Sequence, residues 1–187
     1  MRYPLLLRIA ATALAGGSAN AQSLSLRQDG VRNDARIDQI ESAGSIEAEM
    51  RGTDQHLSAR QAGEGRIAAT IEGRDNAVDV VQHGFASDAN IALVTINGEG
   101  NRADVFQSAS GPGHAASVAQ QGAANIAALH QDGSGSTASL LQLGDNNRAS
   151  LTQSGDANEA SLAQLGSSLA IAVSQAGGAA VAITQSN

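Results

Sequence analysis

Four histidines, His56, His83, His114 and His130, are the residues of this chain best suited to ligate a metal ion. They fall at different phases of the sequence pattern and no two stand at close spacing, so surface or turn positions are expected and no metal is assigned. Carboxylate pairs such as Glu47 and Glu49 could serve acid–base chemistry, but alternate residues share one face of a strand and read as solvated charges. Asp132, Asp145 and Asp156 lie beside glycines as calcium ligands do, yet the G-G-x-G-x-D nonapeptide is absent. The chain has no Cys, which removes thiolate chemistry and disulfides together. Its 11 basic residues are all Arg against 18 Asp and Glu, a net charge of -7, which suits nucleic-acid phosphates poorly. No catalytic, cofactor or metal residue is assigned, and an enzyme is not expected. The side chains that do recur are amides, whose chemistry is to donate and accept hydrogen bonds at once.

The recurrence is regular. Gln120, Gln131, Gln142, Gln153, Gln164 and Gln175 are each 11 residues apart. Two residues after each stands Gly122, Gly133, Gly144, Gly155, Gly166 or Gly177, and two before each stands Val118, Leu129, Leu140, Leu151, Leu162 or Val173. Four before are Ala116, Ala127, Ala138, Ala149, Ala160 and Ile171, and six before are Asn125, Asn147 and Asn158 in three of the six. The template, N-x-A-x-φ-x-Q-x-G with φ aliphatic, extends back through Gln107, Gln82, Gln61, Gln39 and Gln28. With these go Asn101, Asn76 and Asn33 at the start of a unit, and Gly84, Gly63 and Gly30 after it. Three units carry Met50, Ile71 and Ile96 in place of Gln, followed by Gly52, Gly73 and Gly98, and a last unit ends at Gln185. That makes fifteen units, with extra residues at Phe85–Asp88 and Ser110–Gly113.

Within a unit the period is two, which means a half-buried strand. Glycine two residues past the Gln falls where a chain reverses with positive φ. A seven-residue strand and a four-residue turn, repeated, build a strand-arc-strand coil, two units to a 22-residue turn. The fold expected is all-β: a β-solenoid of about seven coils, two parallel in-register sheets enclosing a thin core, with coils about 4.8 Å apart. Alternate units then belong to opposite sheets. This sorting stacks Met50, Ile71 and Ile96 consecutively in one sheet, away from the amides of the other rows. Buried Gln and Asn are tolerated if each amide bonds to the like amide one coil above and below. Hydrophobic residues at 42% with aromatics at 2% fit a core of small aliphatics and exceed what a disordered tail carries.

Residues 1–21 read as a secretory signal peptide: Arg2 and Arg8, an apolar Ile9–Ala15, and the small-x-small Ala19-Asn20-Ala21. Residues 22–187 are then the repeat domain, with nine basic and 18 acidic residues. Neither end of the repeat array shows a polar or helical cap, so both ends are expected to present unpaired strands to a second copy, a contact that does not close. Beyond Val105 the only charges are Asp132, Asp145, Arg148, Asp156 and Glu159, which predicts faster assembly of the C-terminal coils. Thioflavin-T lag times of peptides Gln120–Gln153 and Gln39–Gln61 check this, a shorter lag for the second being contrary.

Stretches such as Gln142-Leu-Gly-Asp-Asn-Asn-Arg-Ala-Ser-Leu-Thr-Gln153 and Gln153-Ser-Gly-Asp-Ala-Asn-Glu-Ala-Ser-Leu-Ala-Gln164 closely resemble the curlin repeat. The resemblance implies a secreted subunit of curli, the extracellular functional amyloid of biofilm matrix, a pilus-like fibre at the cell surface that serves adhesion and aggregation. It also implies export by a dedicated outer-membrane channel, periplasmic chaperones, and growth from a surface-bound nucleator. Family major subunits carry a non-repeat segment after the signal peptide, whereas here repeats begin at once. Either role, fibre subunit or minor nucleator, is compatible with the residues, and the regular acidic repeats favour the fibre subunit. Two other classes are weaker. A solenoid polysaccharide lyase needs long loops, and the longest insertion here adds three residues. A monomeric ligand-binding solenoid of the ice-binding kind needs an outward Thr array that Thr70, Thr95, Thr137, Thr152 and Thr184 do not form.

Overall fold

The computed structural model describes residues 8–14, 23–40, 44–84 and 89–187, with only the backbone of the first segment. The cleavage pattern Ala19–Ala21 and the insertion Phe85–Asp88 lie outside the described residues. All regular structure among them is β-strand. Sheet A takes β1 (Arg8–Leu14), β3 (Asp34–Ile40), β5 (His56–Ala62), β7 (Ala77–Gly84), β9 (Arg102–Ala109), β11 (Ile126–Ser134), β13 (Arg148–Asp156) and β15 (Ala170–Ala176), in that spatial order. Sheet B takes β2 (Ser23–Val31), β4 (Ser45–Thr53), β6 (Gly65–Arg74), β8 (Asn90–Glu99), β10 (Ala115–Ala123), β12 (Thr137–Leu143), β14 (Glu159–Leu165) and β16 (Ala180–Ser186). Every pairing is parallel, and successive strands of the chain alternate between sheets. This is the β-solenoid read from the repeat, about seven coils of about 22 residues.

The period of two decides which side chains are enclosed. Along β11 the inward residues Ala127, Leu129 and Gln131 are at most 2% exposed, while Ala128 and His130 face out. The template places one apolar pair in the middle of each strand and an amide at either flank, so the core is an aliphatic stripe bordered by hydrogen-bonding rows. Each buried Val, Leu or Ile contributes about 1.5–3 kcal/mol at most, and no coil could fold on that alone. Stacking supplies the rest, because each coil covers its neighbours' faces.

Volume within the stripe is conserved by exchange. Most strands pair a small residue at the fourth position before the Gln with a larger one two before it, as in Ala103 and Val105 or Ala138 and Leu140. Strands β4, β5 and β6 reverse the order: Ile46 and Ala48, Leu57 and Ala59, Ile67 and Ala69. All six are at most 3% exposed. Three strands consecutive along the chain swap together, so a constant thickness survives a change of position.

Several strands run longer than the seven residues expected, because the template glycine stays within the ladder. Gly52 pairs with Gly73, and Gly73 with Gly98, one coil to the next. These glycines have φ near +120° (Gly52 at 125°, Gly73 at 118°), a region closed to other residues. A Cβ on Gly52 would also collide with the carbonyl oxygen of Gly73. The reversal is completed two residues later, at a second position in left-handed conformation: Arg32, Asp54, Asp75, Ala124, Asn146, Ala157 and Ser168, with φ between 53° and 60°.

Candidate functional site

The stacked amides are the chemically organised part of the molecule. In sheet A, Gln39 Nε2 donates to Gln61 Oε1 at 3.1 Å, and Gln82, Gln107, Gln131 and Gln153 donate onward as far as Gln175 at 2.8–2.9 Å. In sheet B, Gln120, Gln142 and Gln164 donate onward as far as Gln185 at 2.8–2.9 Å. Every bond runs from Nε2 toward the C-terminal end, so each row has one polarity. The second amide proton crosses the core. Gln107 Nε2 also reaches Ile91 O in the other sheet at 3.0 Å, and Gln142 Nε2 reaches Ile126 O at 3.0 Å. The row therefore ties sheet to sheet as well as coil to coil, a role the repeat spacing alone did not disclose.

Where a row is interrupted, an acceptor is stranded. Gln120 Oε1 faces Ile96 and has no partner. Gln28, in the terminal strand of the same sheet, donates to Met50 Sδ at 3.4 Å, and its unpartnered Oε1 belongs to the end of the row rather than to the interruption. Met50, Ile71 and Ile96 stack on one another at 0% exposure, so the interruption is confined to one block. A second gap separates Gln61 Nε2 from Gln82 Oε1, both buried and unpartnered. It borders the shortened step between Gln61 and Ile71.

The asparagine rows work differently from the expected amide-to-amide stack. Asn101 Oδ1 accepts the backbone N–H of Asn125 at 2.9 Å, and Asn125 Oδ1 accepts that of Asn147 at 3.0 Å. The Nδ2 groups donate to turn-glycine carbonyls: Asn76 to Gly98 O, Asn101 to Gly122 O and Asn147 to Gly166 O, at 2.7–2.9 Å. Asn158 instead donates to Ser154 O at 3.0 Å, and Asn33 reaches Gly52 O at 3.3 Å. The shorter side chain, placed beside the turn, meets backbone before it meets another amide; Asn101 to Asn76 at 3.1 Å is a side-chain bond within the row. Gln55 occupies the same row, and its extra methylene carries Oε1 past the next N–H, leaving it unpartnered.

The template glycines Gly30, Gly52, Gly63, Gly73, Gly98, Gly122, Gly133, Gly144, Gly155, Gly166 and Gly177 all have positive φ; Gly84, next to undescribed residues, does not. Of the four histidines, His114 departs from its expected surface position. It is 1% exposed and fills an asparagine place in sheet B. Its Nδ1 accepts the Ser136 N–H at 3.1 Å, so Nε2 carries the proton it shares with Ser108 O at 3.1 Å, which fixes the neutral tautomer. His130 stacks on Phe106 with centroids 4.6 Å apart, and His83 tilts against the other side at 5.9 Å. His56 lies outward, 3.4 Å from Asp34. Among the described residues no group of three or more His, Asp or Glu is placed to hold a metal.

Outward charges pair along and across rungs. Arg27, Glu49, Arg51 and Glu72 form a chain of contacts of 2.7–3.2 Å on sheet B. Arg32 caps Asp54 one coil on, and its hydrogen bonds hold the Asp54 carboxyl below the usual 3.8. Asp79 and Asp104 oppose one another on adjacent rungs; Arg102 bonds Asp104 at 2.9 Å, while Asp79 Oδ1 has no partner. An open concavity of about 720 Å³ runs along the turns, lined by Arg74, Gly98, Glu99, Gly122 and Asp145 among others.

The two ends differ from the interior. Interior inward residues such as Val80, Val94 and Leu151 are at most 1% exposed, whereas Leu24 is 42% exposed and Leu26, Ile171, Val173, Val181 and Ile183 are half-buried. Both ends of the described stack thus show aliphatic residues and an amide row cut in cross-section, at Gln28 on one side and at Gln175 and Gln185 on the other.

Comparison with curated proteins and with solved structures returned no match. Comparison with protein families returned one whose description is the curlin associated repeat, matching residues 115–144 and 144–177. Those stretches span β10 to β15, where both glutamine rows are continuous. On residues, register and family match together, residues 115–177 carry the curlin associated repeat.

Proposed function

We propose that the chain is the structural subunit of an extracellular curli-type amyloid fibre, stacking head-to-tail as part of a biofilm matrix that serves adhesion and aggregation. One observation carries this reading: the repeat that buries every interior residue leaves the same residue types uncovered at both ends, with a donor-to-acceptor row ready to continue. Gln185 Oε1 already accepts from Gln164 Nε2, its own Nε2 donates to Ala170 O and has a second proton to give, and Gln28 Oε1 is an unpartnered acceptor at the other end. An exposed edge of this kind is completed at lowest cost by more of the same sheet. Outward charges, concentrated before Val105, keep stacks apart sideways without obstructing the ends.

Residues 1–21 act as the signal peptide in this reading, although the backbone of Arg8–Leu14 pairs with β3 in the described chain. Removing them uncovers β3. The proposed partners are further copies of the chain, a surface nucleator, an outer-membrane export channel and periplasmic chaperones. The purified chain Gln22–Asn187 tests the reading in plain buffer. Fibres that bind Congo red and diffract as cross-β are expected; a stable monomer with a cooperative melt overturns it. Deletion in the host separates the roles: loss of fibres marks the main subunit, detached fibres the nucleator.

A further inference from the structure

The C-terminal end of the solenoid is stepped. β15 is the last strand of sheet A and β16 the last of sheet B, and β16 follows β15 along the chain. The next place in the coil is therefore on β15, in sheet A. At the other end β2 opens sheet B and, once residues 1–21 are gone, β3 opens sheet A. Strands β2 to β16 number fifteen, eight in sheet B and seven in sheet A.

An odd number decides how a second copy must sit. If like sheets are aligned, β2 of the incoming copy pairs with β16. Its β3 then stands two rungs from β15, about 9.6 Å instead of about 4.8 Å. One strand is missing from sheet A at that junction. Two facing strands keep unpaired backbone groups, and a slot opens beside the aliphatic stripe, too narrow to hydrate both edges well. A half-turn about the stack axis closes it. β2 then pairs with β15 and β3 with β16, as though the polypeptide had simply run on.

The two sheets carry one template, so the side chains accept the exchange. Leu24, Leu26 and Gln28 come against Ile171, Val173 and Gln175, and Ala35, Ile37 and Gln39 against Val181, Ile183 and Gln185. In the outward rows Ser25 meets Ala172 and Arg36 meets Ala182, so no like charges are opposed. Resting on the fibre-forming reading above and on loss of residues 1–21, we propose that successive copies of the segment Gln22–Asn187 are related by a half-turn, each sheet of the filament alternating between sheet A of one copy and sheet B of the next.

The chain has no Cys, which makes the junction readable by cross-linking. Two variants of Gln22–Asn187 are needed, one with Ser25→Cys and Ala172→Cys, the other with Ser25→Cys and Ala182→Cys. All three positions are exposed and face outward. Within one copy the paired sites lie about 30 Å apart, whereas adjacent rungs bring Cα atoms to about 4.8 Å, inside the disulfide range of about 4.4–6.8 Å. Fibres grown under reducing conditions and then oxidised are run on a non-reducing gel. The Ser25/Ala172 variant is expected to give a ladder of multimers, at least tenfold above that of Ser25/Ala182. A ladder from Ser25/Ala182 overturns the half-turn, as do fibres in which neither pair links. Electron cryomicroscopy of the unsubstituted fibre is the second measurement: a rotation near 180° per copy is expected, and one near 0° overturns it. Failure of the unsubstituted chain to form fibres at all rejects the fibre reading instead.

Discussion

Substitution of Gln131 by Leu probes the amide row where it is most complete. Gln131 is 0% exposed; its Oε1 accepts from Gln107 at 2.9 Å, and its Nε2 donates to Gln153 Oε1 at 2.9 Å and to Ser136 O at 3.1 Å. Leu is of similar size and fills the place without a cavity. It leaves Gln153 Oε1 with no donor, while Gln107 Nε2 keeps only Ile91 O at 3.0 Å. A buried acceptor stranded in this way costs about 1–3 kcal/mol, and the bonds lost to backbone carbonyls about 0.5–1.5 kcal/mol more. Extra apolar burial returns about 1 kcal/mol. The net loss is about 1–3 kcal/mol, which at a urea slope of about 2 kcal/mol/M lowers the midpoint by about 0.5–1.5 M. Urea unfolding followed by far-ultraviolet circular dichroism reads this directly. A midpoint that is unchanged or raised would refute the claim that the row stabilises the stack, because it would mean that Gln131 is solvated or its bonds are replaceable.

Three further substitutions address other parts of the same account. Ile96→Gln offers a donor to Gln120 Oε1 but strands its own Oε1 against Ile71, so the orphan only moves one rung while a fully buried aliphatic side chain is lost; a loss of about 1.5–3 kcal/mol is expected in the same urea assay, and a gain would contradict the row's polarity. Gly98→Ala forces a side chain into a φ of 140° and into the carbonyl of Gly122; destabilisation by about 1–3 kcal/mol or loss of the β signature is expected, against near-neutral behaviour if the turn were loose. Asp79→Asn removes the like-charge opposition with Asp104, and a gain of about 0.2–1 kcal/mol is expected at low salt, shrinking as salt rises; a loss would show that Asp79 has a partner in solution.

Much of the fold was legible because solenoids repeat their physics. The 11-residue step between Gln120 and Gln175, with alternation inside each step, fixes strand, register and the sorting of units between sheets. Met50, Ile71 and Ile96 were placed together from spacing alone, and they stack. What the spacing did not carry is directional or hidden in dissimilar residue types. The second left-handed position holds Arg32, Asp54, Ala124 and Ser168, which share no chemistry, although Gly100 and Gly135 at the same place are a trace of it. His114 differs from asparagine in type yet substitutes for it in function, since Nδ1 accepts the same backbone N–H that an Oδ1 would. The asparagine bonds were misassigned between side chain and backbone because an amide row and an amide-to-carbonyl row have the same period. The long reach of Gln Nε2 to the opposite sheet follows from side-chain length at a coil corner, which one-dimensional spacing does not display.

In the fibre reading each copy adds its whole coil stack to the filament, end upon end. Mass per length of unbranched fibres of Gln22–Asn187, by dark-field scanning transmission electron microscopy, tests it most directly. Fifteen strands alternating between two sheets occupy seven and a half rungs, so one chain is expected per about 36 Å of a single filament. One chain per about 4.8 Å, the value for a fibre in which every copy contributes a single layer, would contradict the account.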